Sequence, residues 1–157
     1  MKFTLSWLKD HLDTSASLDE IAEKLTLIGL EVEALVDPSE TFANFEVAEI
    51  IATAPHPEAD RLQICTVKSG GAEQQLVCGA PNARAGLVGI LAQEGAVIPA
   101  SGMVLGKAKI RGVESRGMMC SGAELGLNDD HDGIIELEAG ASIGSPAAVA
   151  LGLDDPM

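Results

Sequence analysis

The chain of 157 residues is poor in aromatic side chains. It has one Trp, three Phe and no Tyr, and Phe45 is the last aromatic residue in the sequence. Proteins that grip single-stranded nucleic acid stack bases on aromatic rings, and each stacked base contributes about 1–3 kcal/mol. Recognition of unstacked bases by the region after Phe45 is therefore not expected.

Cysteine and long apolar runs are also scarce. Cys65, Cys78 and Cys120 are odd in number and widely spaced, which fits a reducing cytoplasm better than a disulfide framework. No apolar run approaches the ~20 residues of a membrane span. Charged residues interrupt the first twelve positions, so these do not form a signal peptide. We expect a cytoplasmic protein without membrane contact.

Positive charge is the third scarcity. Ten Lys and Arg against 24 Asp and Glu give a net charge of −14, which argues against an indiscriminate polyanion binder. The charge is unevenly distributed, since positions 56–121 hold seven basic and five acidic residues. A near-neutral to slightly basic middle thus lies between strongly acidic flanks.

The first 36 residues predict two helices and a strand. A short helix is expected over Ser6–Leu12. Ser17 and Glu20 form a capping-box pattern for a second helix, which Gly29 ends. Apolar and acidic residues then alternate over Leu30–Val36, which is the periodicity of a strand.

The pattern changes at Asp37-Pro38-Ser39, which is a turn signal. Helix is scarce beyond it, and a turn at Ala123–Leu127 is its best candidate. The rest predicts a mainly β fold, a closed five-stranded antiparallel barrel of the OB-fold type behind a small α/β N-terminal segment. The predicted strands are Phe45–Thr53, Leu62–Lys68, Gln75–Cys78, Leu87–Gln93, Met103–Ile110 and Ile134–Leu137.

Four cations form what we call the basic stripe. Lys107, Lys109 and Arg111 recur at a spacing of two, which on a strand places them on one face, and Arg116 follows the Gly112 turn. Such a stripe could meet phosphate groups. The alternative is an ordinary solvated strand face.

No catalytic or metal site is expected. Cys120 has no neighbouring base, and the segment that begins with His56 lacks the further ligands of a metal site and is best interpreted as a linker. Residues 128–133 resemble a calcium loop, but its twelfth position is Ala139 where a Glu is required. No glycine-rich phosphate cradle is present, so no ATP site is expected.

Three motifs follow one another in the middle of the chain. They are His56-Pro57-x-Ala59-Asp60-x-Leu62, Val77-Cys78-Gly79-Ala80-Pro81-Asn82 and Lys109-Ile110-Arg111-Gly112-x-x-Ser115-x-Gly117-Met118. This set resembles the tRNA-binding OB-fold domain. The preceding Trp7-Leu8 and Gly29-Leu30-Glu31-Val32-Glu33 make the whole chain similar to the start of the bacterial phenylalanine–tRNA ligase β subunit.

The resemblance implies a domain organisation. Residues 1–39 would be the first part of a discontinuous domain, residues 40–149 the inserted tRNA-binding domain, and residues 150–157 the start of the second part, cut short. It implies an α2β2 ligase, with the α subunit and the remaining β domains as partners. ATP and Mg2+ would be used elsewhere in that enzyme, so this segment would hold no cofactor and no catalytic residue.

The function expected from the resemblance is an accessory tRNA-binding module that supports the charging of tRNA with phenylalanine. Without aromatic stacking, binding would rest on contacts to the backbone of a folded RNA. The candidate residues are Lys107, Lys109, Arg111, Arg116, Arg61 and Arg84. Two alternatives stay open. One is a structural module that packs within the ligase and touches little RNA, and the other is a stand-alone dimeric tRNA-binding protein.

Overall fold

The structure is a computed structural model that describes residues 1–138 and 140–156. Ala139, the twelfth position of the calcium-loop pattern, and Met157, the last residue of the expected 150–157 segment, lie outside the described residues. The described residues form four helices and seven strands. These are α1 Leu5–His11, α2 Leu18–Leu27, α3 Pro38–Thr41, β1 Phe45–His56, β2 Ala59–Lys68, β3 Glu73–Cys78, β4 Val88–Ala92, β5 Ala108–Ile110, β6 Val113–Ser115, β7 Met118–Met119 and α4 Ala147–Ala150.

The two N-terminal helices lie close to their predicted positions, with α1 one residue earlier than the predicted Ser6–Leu12. Ser17 caps α2 by accepting a hydrogen bond from the Glu20 amide, and the Glu20 carboxylate accepts one from the Ser17 amide. Gly29 follows the helix with a φ of 95°, the left-handed conformation in which glycine commonly ends helices. The capping box and the stop signal are therefore confirmed.

The central element is a five-stranded antiparallel sheet in the order β3-β2-β1-β4-β7. The hairpin of β5 and β6 forms a separate two-stranded sheet. The predicted mainly β class with five antiparallel strands is confirmed, whereas the segment before them, expected to be α/β, contains helices and no strand among its described residues. Strands β1 to β4 lie close to their predicted positions.

Isolated hydrogen bonds, and not a β-ladder, connect strand β3 at one edge of the sheet to residues 114–116, which lie just before β7 at the other edge. The Arg116 amide, just before β7, donates to the Gln75 carbonyl in β3 at 3.0 Å. The Val77 amide donates to Ser115 Oγ at 3.1 Å, and the Gln75 side chain donates to the Glu114 carbonyl at 3.0 Å. The strand pairing itself does not include a β3–β7 ladder in the part of the chain described here.

Both faces of the central strands are buried. On one face, Phe42 and Phe45 meet edge to face with ring centroids 5.4 Å apart, next to Ile90 and Leu125. The opposite face packs side chains from β1, β2, β3, β4 and β7, namely Ala48, Ile50, Cys65, Val67, Leu76, Cys78, Leu91 and Met119. Double burial applies to all of β4 and to residues 45–50 of β1, whereas residues 51–55 of β1 are exposed.

Three predicted strands differ in the structure. Leu30–Val36 is not a strand, because alternation alone does not make one and the described residues provide it with no ladder partner. Only Ala108–Ile110 of the predicted Met103–Ile110 strand is extended and paired. Ile134–Leu137 is not a strand either, although the Ile135 and Leu137 amides donate to the carbonyls of Cys120 and Val88.

No helix among residues 1–138 and 140–156 is both long and apolar enough to cross a membrane.

Candidate nucleic-acid interface

A tight turn sets the geometry of the basic stripe. Arg111 and Gly112 join β5 to β6 with φ angles of 49° and 85°, the two positive values that a type I′ hairpin requires. Arg111 therefore lies in the turn and Lys107 precedes β5, so only Lys109 is within a strand. The expected alternation of three cations along one strand is wrong, yet all three side chains are exposed at one hairpin.

An acidic residue lies among the four cations. Glu114 pairs with Lys109 directly across the hairpin, and its carboxylate accepts a hydrogen bond of 2.8 Å from Arg116 Nε. The Arg116 guanidinium, assisted by the charges of Lys107 and Lys109, holds the pKa of Glu114 below its ordinary value. Glu114 in turn raises the pKa of Arg116. Arg116 is thus paired with Glu114, whereas Lys107, Lys109 and Arg111 form no ion pair among the described residues.

A buried histidine joins this hairpin to the β1–β2 turn. His56 is only 5% exposed, and its Nε2 lies 3.0 Å from the carbonyl oxygen of Ile110 in β5. Its Nδ1 accepts a hydrogen bond of 3.0 Å from the Glu58 amide. Arg111 Nη1 also approaches the Glu58 carbonyl, at 3.4 Å. The linker interpretation of this segment missed the contact between the turns, because the partner lies 54 positions away.

Arg61 belongs to the same end of the molecule. It is exposed in β2, two residues after Ala59, which pairs with His56. Since His56 contacts Ile110, the β1–β2 hairpin that carries Arg61 is docked against the hairpin that carries the basic stripe. Five of the six candidate cations thus lie on these two contacting hairpins.

Arg84, the sixth candidate, is held elsewhere. Its Nη1 and Nη2 donate to Oε1 and Oε2 of Glu136 at 3.0 and 2.8 Å, which makes a bidentate ion pair. Asn82 supports the same place, because its side chain donates to the Ile134 carbonyl at 2.8 Å and accepts from the Ile134 amide at 2.9 Å. These bonds tie the loop before β4 to residues 134–136. Arg84 therefore has an evident structural role.

The Arg84–Glu136 pair predicts a dependence of stability on acid. The hydrogen bonds from Arg84, followed by those from Asn82, lower the pKa of Glu136 to about 2. A depressed pKa stabilises the fold above the ordinary pKa of a glutamate, and this contribution is lost as the pH falls towards 2. Glu136→Gln should therefore lower the urea midpoint slightly near neutrality and make it less sensitive to pH between about 4.5 and 2.

A matched control for this titration is Glu138→Gln, which removes another exposed carboxylate of the same segment. Its urea midpoint should keep the acid dependence of the parent chain. If the parent and Glu136→Gln chains lost stability in parallel over that pH range, the ion pair would contribute nothing to the acid dependence of stability.

The three cysteines lie in the protein interior. Cys65, Cys78 and Cys120 are all buried and form no disulfide. A hydrogen bond between the Cys65 and Cys78 thiols raises the pKa of Cys65 and lowers that of Cys78 to about 7. Burial raises the pKa of the Cys120 thiol to about 12, so it stays protonated and weakly nucleophilic at neutral pH. Within the described ranges, no group of three His, Cys, Asp or Glu side chains could hold a metal ion.

Comparison with protein families gives this geometry a context. Residues 45–146 match the family model described as "Putative tRNA binding domain". That match covers well over half of the chain. The chain belongs to this tRNA-binding domain family. All six candidate cations lie inside the matched region, whereas α1, α2 and α3 precede it.

Relatives of this tRNA-binding domain match almost the whole chain. It is 61% identical over 154 residues to the phenylalanine–tRNA ligase beta subunit of Rhodospirillum rubrum, covering 98% of this chain and 19% of that protein. It is 57% identical to the beta subunit of Rhodopseudomonas palustris, covering 100% of this chain and 20% of the relative. The chain thus spans about one fifth of the length of the curated relatives it matches.

A solved structure shares the fold of this tRNA-binding domain. The crystal structure of a MetRS-related protein from Pyrococcus horikoshii superposes with a TM-score of 0.52 at 20% identity, covering 73% of this chain and 98% of the other. At this identity the likeness concerns the fold alone. It agrees with the mainly β architecture expected from the sequence.

Proposed function

We propose that this chain is the accessory tRNA-binding module of a phenylalanine–tRNA ligase β subunit and supports the charging of tRNA with phenylalanine. The observation that carries the proposal is a double match. One tRNA-binding family model covers residues 45–146, and ligase beta subunits match the whole chain, the helices before that domain included. In this proposal the chemistry of ligation, with its ATP and Mg2+, belongs to other parts of the enzyme.

The contact that we propose is electrostatic and directed at the RNA backbone. Lys107, Lys109 and Arg111 are exposed on one hairpin, and Arg61 lies on the hairpin docked against it. Arg116 contributes once phosphate competes with Glu114, and Arg84 contributes least because Glu136 holds it. No aromatic residue follows Phe45, so a folded tRNA should bind better than an unstructured strand.

The dependence of tRNA binding on salt tests this function. If three or four cations neutralise phosphates, the logarithm of the binding constant should fall with the logarithm of salt concentration with a slope of roughly −2 to −4. Filter binding of a phenylalanine-accepting tRNA over a series of salt concentrations measures this slope. Single-stranded oligonucleotides of different base composition should bind more weakly than tRNA and about equally to one another. Absence of tRNA binding at low salt would reject the proposal.

The proposal extends to the organisation of the ligase. Residues 1–39 and 150–157 would form one discontinuous domain around the inserted residues 40–149. Supporting this, the Leu5 amide donates to the Pro156 carbonyl at 2.8 Å, and the backbone and side chain of Ser6 both donate to the Asp155 carboxylate. These bonds join the two ends of the chain outside the tRNA-binding domain.

The N-terminal segment also has apolar side chains that favour contact with further protein. Leu27, Ile28 and Leu30 are 69%, 73% and 59% exposed. We propose that the remaining β-subunit domains and the α subunit of a cytoplasmic α2β2 ligase are the partners of this chain. The same observation favours the second candidate function, a packing module with little RNA contact. If the chain bound no tRNA, the packing function would be preferred.

A further inference from the structure

We infer that His56 is a positioning residue for tRNA binding, acting through its ring hydrogen bond to the carbonyl of Ile110 in the β5–β6 hairpin. The inference rests on the proposed function, because it concerns how that hairpin is presented to RNA. His56 touches no phosphate in this mechanism. It fixes the position of the backbone that carries Lys109 and Arg111.

The hydrogen bonds assign the proton on the ring. The Glu58 amide can only donate, so the Nδ1 that it contacts at 3.0 Å carries no proton. The Ile110 carbonyl can only accept, so the Nε2 that it contacts at 3.0 Å carries one. The ring is therefore neutral, with its proton on Nε2, and both nitrogens are used. One bond is local and shapes the turn, whereas the other crosses to the second hairpin.

The position of the bond explains its importance. Ile110 is the last residue of β5, directly before the Arg111–Gly112 turn, and the hairpin ladder has only three residue pairs. So short a hairpin is marginal on its own and needs outside contacts to hold its geometry. His56 is the last residue of β1, and it is buried although residues 51–55 before it are exposed. Its ring bond therefore connects the cationic turn to a strand of the central sheet.

Ordering the hairpin before binding should improve affinity without adding a charge contact. A hairpin that is already held in place loses less conformational freedom when RNA binds. Removing the ring bond should thus weaken binding while the number of neutralised phosphates, and with it the salt slope, stays the same. A residue that met phosphate directly would change the slope.

Two substitutions separate the two ring bonds. The amide of His56→Asn can place its oxygen near the position of Nδ1 and keep the bond from Glu58, but its nitrogen is too short to reach Ile110. The amide nitrogen of His56→Gln can replace Nε2 and keep the bond to Ile110. His56→Ala loses both bonds, and His131→Ala removes an exposed histidine elsewhere in the same domain as a control.

The test is filter binding of a phenylalanine-accepting tRNA to these chains at several salt concentrations. His56→Asn and His56→Ala should weaken binding about three- to tenfold with an unchanged slope, and His56→Gln and His131→Ala should stay within about twofold of the parent. Wild-type affinity in His56→Asn would overturn the inference. A loss in His56→Gln as large as that in His56→Ala would also overturn it, as would a changed slope in any His56 variant.

Nuclear magnetic resonance of the ring nitrogens tests the contact without RNA. The parent chain should show a neutral His56 ring protonated at Nε2, and the amides of β5 and β6 should exchange faster in His56→Asn and His56→Ala than in His56→Gln. A ring protonated at Nδ1, or equal exchange in all variants, would overturn the contact. If the parent bound no tRNA, the proposed function would fail while these two measurements still decided the role of His56 in the hairpin.

Discussion

Replacing Lys107, Lys109 and Arg111 together by alanine is expected to flatten the log–log salt dependence of tRNA binding by about 2–3 units. Each neutralised phosphate contributes about 0.7–0.9 to the slope, and these three side chains are exposed around a single turn. The fold should be retained, since substitutions at exposed positions usually change stability by no more than about 0.5 kcal/mol. Filter binding at several salt concentrations and a urea melt of each chain give both quantities.

A matched control for this triple variant is available in the N-terminal segment. Replacing Lys2, Lys9 and Lys24 by alanine removes the same amount of charge outside the tRNA-binding domain. That variant should keep the parent slope and lose affinity only through the general repulsion of a chain that is already at −14. If the two triple variants bound tRNA alike, the cations of the hairpin would be an ordinary solvated surface and the packing function would be preferred.

Replacing Gly117 by alanine is expected to destabilise the fold by at least about 2 kcal/mol. Gly117 has a φ of 94°, which an L-residue adopts only at a cost of about 1–2 kcal/mol. An added Cβ would also lie 2.6 Å from the Ala92 carbonyl oxygen, closer than two such atoms can approach without backbone movement. Gly117 follows Arg116, whose amide donates a hydrogen bond to the Gln75 carbonyl in β3. The substitution would therefore disturb the backbone where the two edges of the sheet approach each other.

Alanine substitutions at two other glycines distinguish the cost of backbone strain from the cost of the steric clash. Gly86 has a φ of 91° with open space around it, and Gly106 has open space and no positive φ. Urea melts should therefore rank the loss as Gly117→Ala largest, Gly86→Ala intermediate and Gly106→Ala smallest, near zero or slightly stabilising. A Gly117→Ala chain as stable as Gly86→Ala would show that the backbone accommodates the added methyl group.

Local chemistry explains which elements could be predicted. The Ser17–Glu20 capping box satisfies donors three residues apart, and Gly29 stops the helix through its own φ, so neither depends on the rest of the fold. The alternation in Leu30–Val36 is just as regular, but a strand needs a neighbour, and the described chain supplies none. A pattern within one segment thus predicts a helix end more securely than a strand.

For the cations of the candidate site, too, the sequence predicts some features and leaves others to the folded structure. Their identity and crowding between positions 107 and 116 are evident from the sequence, as is the absence of later aromatic residues. The spatial arrangement of the cations is not evident from the sequence. It depends on contacts with the ring of His56 and with the carboxylates of Glu114 and Glu136. Of these partners, only Glu114 is close enough in sequence to be noticed beside the cations.

By itself the sequence determined the mainly β class, the two N-terminal helices with the capping box of the second, and the resemblance to a tRNA-binding domain. Tertiary structure alone decided that Arg84 is bound to Glu136 and that His56 docks two hairpins. These contacts join residues 52 and 54 positions apart, so the groups meet only in the folded chain. Hydrogen bonds and ion pairs depend on distances of about 3 Å, and over such sequence separations only the folded chain sets them.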